Sequence, residues 1–550
     1  MNIAQRLNQL AKTFPDKTAV MLPKFDHKKN SYQYQSLTFR DLDILSNQYA
    51  NQLRDLGFKA GDLTLLFLKP SLEFSAMTFA IFKAGIIPVF IDPGMGKKNL
   101  LKCIKEVNPV GLIAEKEVHL LSLIFRSNFK SVKFRVTTKS KFPFFKNILT
   151  LKQMSNERIL STKIEEVTPE QTAAILFTSG GTGTPKGVVY THQIFNEQTD
   201  ILKKLFNLTP DDIDLPGFPL FSMFTISMGM KSVIPDMDPS KPAQCNPKKI
   251  VQNILDQKPT FVAGSPSIWD RVADYCIKES ITLPSVKYVV MFGAPVSLNI
   301  HRKFKNILPH GTTYTPYGAT ESLPVSNISG EYILKNTAKL TEAGKGTCIG
   351  KPIETIELKI IEVTENIITN LKDAKILPAN SPGEIIVKGN VVTKEYYHLP
   401  EKTLEAKIYE DDGSVWHRIG DIGYLNDLGE LWFLGRKTHR VITETETMYP
   451  ISCEAIFNLH PEVKRSALVG LGDAPKQTPA IVIERKDGEY LQGKERSIFE
   501  SELLTLSKKF KHTEKINKIF ISKEFPVDVR HNIKIDRLKL KAEIENNELF

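Results

Sequence analysis

"GDLTLLFLKPSLEFSAMTFAIFKAGIIPVFID", Gly61 to Asp92, decides the fold. GDLTLLFL is apolar without polar alternation, as a strand covered on both faces is. SLEFSAMTFAIFKAG has the length of a helix and closes on a glycine, and IIPVFID returns to a short apolar run. Strands alternating with helices mean an α/β fold with parallel strands. Upstream, Thr38–Leu56 puts Phe39, Leu42, Tyr49, Leu53 and Leu56 on one helical face, with Thr38 as N-cap and Gly57 as the stop. Downstream, QTAAILFTSG, PTFVAGSP and SVKYVVMFGAP are apolar runs that each end in a turn over the carboxyl edge of a sheet. Ligands of open α/β sheets bind at that edge.

At 550 residues, 41% of them hydrophobic and 25% charged, the chain has the composition of a soluble globular protein of two or three domains. The texture changes near residue 380 to short strands and turns, and beyond Gly435 a basic α+β segment completes the chain. The expected organisation is a large N-terminal domain of stacked α/β subdomains over residues 1–435, with a small mobile α+β domain over 436–550. Cys103, Cys245, Cys276, Cys348 and Cys453 are scattered and form no CxxC, which argues against disulfides or zinc. MNIAQRLNQLAKTF lacks the apolar core of a signal peptide, so a cytoplasmic location is expected. The net charge of +11 comes with no nucleic-acid-binding motif, so no nucleic-acid partner is expected. Residues 126–146 carry seven Lys/Arg and no acid, interleaved with phenylalanines, and read as a solvated surface segment or a peripheral membrane contact.

TSGGTGTPKG, Thr178 to Gly187, directly follows the strand AAILFT. Glycines let backbone N–H groups crowd around an anion, hydroxyls add donors, and a lysine adds a point charge. The loop is not a Walker A motif, because Lys186 precedes Gly187 rather than a Ser or Thr. Alone it would be read as a turn. Three later clusters change that reading: YGATE at Tyr317–Glu321, IGDIGYL with Asp421, and GRKTHR with Arg436.

In this order the four motifs resemble the series of the adenylate-forming superfamily of acyl-CoA synthetases, peptide-synthetase adenylation domains and luciferases. The resemblance covers nearly the whole chain and implies attack of a carboxylate on the α-phosphate of ATP, with Mg²⁺ as cofactor, then acyl transfer to a nucleophile. It also implies that Thr178, Ser179, Gly180, Thr182, Gly183 and Lys186 hold the β- and γ-phosphates. Thr320 then contacts the α-phosphate and Glu321 binds the metal. Asp421 receives the ribose hydroxyls with Arg436 beside it, and Gly293, Ala294, Pro295, Tyr317 and Gly318 form the adenine slot. His192 has a family counterpart and is read as structural. The tail FPVDVRHNIKIDR keeps a proline, Pro526, and Arg537, and Lys534 is identified as the catalytic lysine, although Ile533 replaces the usual preceding glycine.

Four departures bear on the acceptor: Thr438 at the usual hinge, Glu446 where a glycine lets pantetheine pass, Ser222 in place of a common histidine, and the altered tail. A carboxylate in that tunnel would repel the phosphates of coenzyme A and puts a thioester in question. With VIPDMDPSKPAQ, TPYGATESLPVS and MYPISCEAIFN, these departures resemble the olefin β-lactone synthetases, in which a 2-alkyl-3-hydroxy fatty acid closes on its own hydroxyl. The same motifs would also serve a fatty acid–CoA ligase or transfer to a carrier-protein thiol. Enzymes that hand over the hydrophobic acid are the expected partners. FPLFSMFTISMGM and FVAGSPSIW are expected to wall the acyl pocket, with Gly264 and Ser265 permitting close approach.

Overall fold

The computed structural model describes residues 1–138, 148–155, 159–178, 185–528, 533–546 and 548. Leu63–Phe67 and Ile87–Ile91 are parallel strands joined by the helix Leu72–Lys83. Ser71 starts that helix, its hydroxyl accepting from the Phe74 amide at 3.0 Å. From Phe74 onward every residue of the helix is buried, which explains its unbroken apolar sequence. Its buried charge, Lys83, donates to Asp43 Oδ1 at 2.6 Å, Asn47 Oδ1 at 2.6 Å and Ser46 Oγ at 2.7 Å. A buried ammonium is tolerable only when it is satisfied in this way. All three acceptors come from Phe39–Leu56, the helix expected from its apolar face. Thr38 and Asp41 form a capping box at its start, and Gly57, at φ +110°, ends it in the left-handed conformation.

Two seven-stranded sheets carry the large domain. One has the spatial order 148–150, 134–137, 111–114, 63–67, 87–91, 172–178, 186–191, and it is parallel except for its last pair. That last pair is an antiparallel hairpin, and the glycine-rich loop is its connection. The other runs 312–314, 288–291, 261–264, 213–216, 231–233, 18–26, 31–38, and again only the final pair is antiparallel. A single apolar cluster joins Ile113 and Ala174 of the first sheet to Phe261 and Val290 of the second through Phe79 and Phe195 of the intervening helices. The expected stacking of α/β subdomains is thus a shared core.

A third, antiparallel sheet contains 347–348, 431–436, 415–425, 383–389 and 356–361, with 407–409 on its side. It begins before the change of texture expected near residue 380. Strand Ile356–Ile361 pairs with Gly383–Gly389 across a long connection, so no tight turn betrays it in the sequence. The smaller C-terminal domain has a three-stranded sheet, 463–471, 478–485 and 518–522, and a short antiparallel pair, 441–442 with 447–448. Its helices include Pro450–Phe457, Gly493–Ser507 and Arg537–Glu545, and its two apolar clusters contain only residues from Val441 onward. The overall class is mixed α/β with a large and a small domain, as the sequence implies. Among the described residues no helix is long and apolar enough to cross a membrane, and all five cysteines are free and buried. Residues 139–146 of the basic segment lie outside the described residues.

Candidate active site

A cavity of about 1810 Å³ is walled by all three sheets of the large domain and by the small domain. Into this wall the fold brings Thr178, Gly293, Ala294, Pro295, Tyr317, Gly318, Thr320, Glu321, Asp421, Arg436 and Lys534. Ser179, Gly180, Thr182 and Gly183 lie outside the described residues. Lys186 is not in the wall.

Most of these groups lie at or next to strand ends, whereas Asp421 sits inside the strand Val415–Leu425 and Lys534 in the loop before the helix Arg537–Glu545. Gly293–Pro295 follow Tyr288–Met291, and Thr320 and Glu321 occupy the turn between the paired strands Tyr317–Ala319 and Ser322–Asn327. A side chain at Gly318 would place its Cβ 2.4 Å from the Ser322 carbonyl oxygen, so this turn closes only with glycine. Asp421 and Arg436 face each other across neighbouring antiparallel strands.

Asp421 is buried, and both of its oxygens are engaged. The Tyr317 hydroxyl donates to Oδ2 at 2.6 Å, and Arg436 Nη1 donates to Oδ1 at 2.8 Å and to the Ile419 carbonyl at 3.0 Å. The Asp421 carboxylate raises the pKa of Arg436, while burial and then Asp421 raise that of the Tyr317 phenol. A carboxylate offers about four acceptor sites, so the oxygens can still receive two further hydroxyls. Tyr317 is therefore fixed by its hydroxyl as well as by ring packing against Phe433, 6.1 Å between centroids.

Glu321 shows a partner that the motifs did not disclose. The Tyr396 hydroxyl donates to its Oε1 at 2.7 Å, and the Lys186 ammonium lies 4.8 Å from the centroid of the same tyrosine ring. Burial lowers the Lys186 pKa and the Glu321 carboxylate opposes that shift. Tyr396 is tied to both motifs through the backbone. Thr393 N–H donates to the Glu321 carbonyl at 2.9 Å, Tyr397 N–H donates to the Gly187 carbonyl at 2.8 Å, and Val188 bridges Tyr396. Behind this strap the buried Lys407 donates to the carbonyl of Thr393 and, at 3.4 Å, to its hydroxyl. Burial pushes its pKa down to about 7, against the pull of Glu321. Tyr190 donates to the Thr320 carbonyl at 2.6 Å. Sequence reading missed Tyr396, Tyr190 and Lys407, and the adjacent tyrosines of "KEYYHLP" were the available signal for the first.

Among the described residues no cluster of three or more His, Cys, Asp or Glu could hold a metal unaided. Glu321 Oε2 carries no hydrogen bond among them, so one carboxylate oxygen remains available. That donor set fits Mg²⁺, which takes one or two carboxylates and completes its shell with phosphate oxygens and water.

Lys534 is exposed and lies in the cavity wall. Its approach is set by Asp528, whose Oδ1 accepts from the amides of Ile533 at 3.2 Å and Lys534 at 2.8 Å, and by a bridge between Val527 and Ile535. Arg537 anchors the following helix on Glu454, 2.7 Å away. Glu446 is not in the wall; it pairs with Lys515 at 2.7 Å. His192 is buried, its Nδ1 accepting from the Ile3 amide at 3.4 Å, and burial lowers its pKa to about 4, so it is neutral and structural.

The far part of the cavity is apolar, with Phe218, Phe221, Phe224, Met228 and Phe261 in its wall and Phe221 stacked on Phe292, 4.5 Å between centroids. Gly264 and Ser265 do not reach it. A Cβ at Gly264 would touch Ile268 and Trp269, so that glycine admits the helix Pro266–Lys278 rather than a ligand.

Asp214, also in this wall, accepts from Thr225 Oγ1 at 2.7 Å and is fully buried, and burial raises its pKa to about 7. Its carboxyl keeps its proton in the fold at pH values where the unfolded chain, near 3.8, has lost it. Stability is therefore fully present below about pH 4 and declines as pH rises towards 7. Asp214→Asn, which cannot titrate, is expected to gain on the wild type by up to about 1.4 kcal/mol per pH unit across that interval. Unfolding midpoints at pH 5 and pH 7 measure this, and an equal difference at both would show that Asp214 is ionised in the fold.

The family described as AMP-binding enzyme matches residues 7–397. An olefin β-lactone synthetase of Xanthomonas campestris pv. campestris is 37% identical, over 98% of this chain and 96% of its own. One of Stenotrophomonas maltophilia is 36% identical over 99% of both chains. Among solved structures, an O-succinylbenzoate coenzyme A synthetase of Bacillus subtilis in complex with AMP superposes with a TM-score of 0.75 at 20% identity, covering 98% of each chain. An amide bond synthetase of Marinactinospora thermotolerans gives 0.79 at 18% identity, over 98% and 99%. The solved structures show the fold.

Proposed function

The chain belongs to the AMP-binding enzyme family and matches the two olefin β-lactone synthetases over almost its whole length, and on that premise we propose that it activates a 2-alkyl-3-hydroxy fatty acid as an acyl-adenylate and closes it to a β-lactone. The observation that carries this reading is the single cavity that joins Thr320, Asp421 and Lys534 to an aromatic chamber. One end suits a nucleotide and the other an alkyl chain.

The substrate carboxylate attacks the α-phosphate of ATP and pyrophosphate leaves. Lys534 neutralises the reacting carboxylate and the α-phosphate, Thr320 contacts that phosphate, and Lys186 with the loop from Thr178 holds the outer phosphates. Asp421, fixed by Tyr317 and Arg436, receives the ribose hydroxyls. Glu321 holds Mg²⁺, which when bound offsets the charge of the phosphate oxygens. The 3-hydroxyl oxygen then bonds to the acyl carbon, the acyl–phosphate bond breaks, AMP leaves and the hydroxyl proton is released. A hydroxyl held two carbons from the acyl group has a high effective concentration, so no coenzyme A is consumed. The division at residues 435 and 436 lets the small domain carry Lys534 to the site, with Gly435–Thr438 as hinge. A cytoplasmic enzyme fed with a hydrophobic acid by neighbouring enzymes, touching membrane through residues 126–146, completes the reading.

The test concerns the acceptor. With ATP and Mg²⁺, the 3-hydroxy acid is expected to turn over repeatedly to lactone and AMP without coenzyme A. The matched acid lacking the hydroxyl is expected to stop at one bound acyl-adenylate per enzyme. Rapid turnover of the plain acid that depends on coenzyme A would replace this reading with that of an acyl-CoA ligase.

A further inference from the structure

Gln198 lies on the helix His192–Leu205, is 4% exposed, and stands in the cavity wall with Tyr190, Thr320, Glu321 and Leu323. Its side-chain nitrogen donates to the Leu323 carbonyl at 2.9 Å and its amide lies against the Tyr190 hydroxyl, which itself donates to the Thr320 carbonyl. These contacts fix which end of the amide is which. The nitrogen must face the carbonyl, and Oε1 must face away from it. Oε1 is buried and has no hydrogen-bond donor among the described residues. A buried acceptor left without a donor is costly and calls for an explanation. Leu323, its partner, lies on the strand Ser322–Asn327 directly after Thr320 and Glu321, and Tyr190, beside it, holds the Thr320 carbonyl, so this acceptor borders the place where the proposed reaction activates the carboxyl end of the substrate.

We propose that Gln198 Oε1 accepts a hydrogen bond from the hydroxyl of a 3-hydroxy acid, making Gln198 the residue that distinguishes hydroxy acids from plain fatty acids. The inference rests on the reading of the substrate given above. An acyl group whose first carbon is held at Thr320 carries its 3-hydroxyl only two carbons further on, within the same stretch of wall. The carbonyl of an amide takes the hydroxyl hydrogen and leaves the oxygen lone pairs directed elsewhere, which is the arrangement needed if that oxygen is to bond to the acyl carbon. The other unpaired oxygen in the cavity wall, Asp214 Oδ1, belongs to a carboxyl that keeps its own proton and whose partner Thr225 lies on the helix Ser222–Ser227.

The adenylation half-reaction isolates this contact from ring closure. Pyrophosphate exchange is measured with a 3-hydroxy acid, the same acid without the hydroxyl, and its 3-fluoro analogue, which is of similar size and cannot donate. The wild type is expected to favour the hydroxy acid about tenfold or more over both others, the range for satisfying one buried acceptor. In Gln198→Leu the ratio of hydroxy to plain acid is expected to fall close to one, whatever the absolute rates. A ratio preserved in the variant overturns the assignment. So does a wild type that treats the fluoro and hydroxy acids alike, an arm that needs no variant to fold. Lactone assayed in parallel separates the two readings. Lactone without hydroxyl preference sinks the role of Gln198 alone, and preference without lactone sinks the reaction alone.

Discussion

Lys534→Ala is expected to slow acyl-adenylate formation about a thousandfold while leaving ATP binding nearly intact. Removing one preorganised charge from a developing transition state costs on this order. The amides of Ile533 and Lys534 are held by Asp528 Oδ1, and the substitution keeps both contacts. Pyrophosphate exchange measures the step, and calorimetry with ATP measures the binding. Exchange at the wild-type rate would remove Lys534 from the reaction. The result separates it from Lys186, whose replacement should weaken ATP binding, because Lys186 begins the strand that follows the glycine-rich loop proposed to hold the phosphates.

Asp421→Ala is expected to weaken AMP binding by at least about a hundredfold. Two ribose hydroxyls lose a charged acceptor, and each such bond is worth about 1.5 to 3 kcal/mol. A second loss adds to the first: Tyr317 and Arg436 are released from their partner, so the adenine-side ring and the guanidinium lose the contacts that fix them. Calorimetric titration with AMP checks this, and unchanged affinity would mean that the ribose sits elsewhere. Tyr317→Phe, which frees one oxygen of Asp421 but keeps the ring, should show a much smaller loss.

The parts of the fold that could be read beforehand are those specified by neighbouring residues. Thr38, Asp41 and Gly57 define their helix within a few positions on either side, and the strands of the parallel sheets declare themselves by unbroken apolar runs. The motif residues were legible because each sits in a short stretch with its own local composition, such as YGATE around Thr320 and IGDIGYL around Asp421. Tyr396, Tyr190, Lys407 and Gln198 were not, since what matters in each is a partner far away in the chain. Tyr396 reaches Glu321 from 75 positions off, and Gln198 reaches Leu323 from 125. An isolated tyrosine or glutamine is indistinguishable in sequence from one that packs. The same limit led to Gly264 being read as a point of ligand approach when it accommodates Ile268 and Trp269. The early strands of the third sheet were missed because Thr347–Cys348 and Ile356–Ile361 pair with strands beyond long connections.

The phenol of Tyr396 separates two opposite charges that a poorly hydrated site would otherwise draw together. Its hydroxyl holds the Glu321 carboxylate and its ring face holds the Lys186 ammonium, and no direct ion pair between them is found among the described residues. If Glu321 takes the cation and Lys186 the phosphates, as proposed above, an incoming nucleotide–metal complex would meet two charges already parted and need not first break a bond between them. Tyrosine also makes this separation reversible in a way that a third charge would not, since a hydroxyl and a ring face give way to stronger ligands without leaving an ion unpaired. On the proposed reading, the site holds its two charges apart until a ligand claims them.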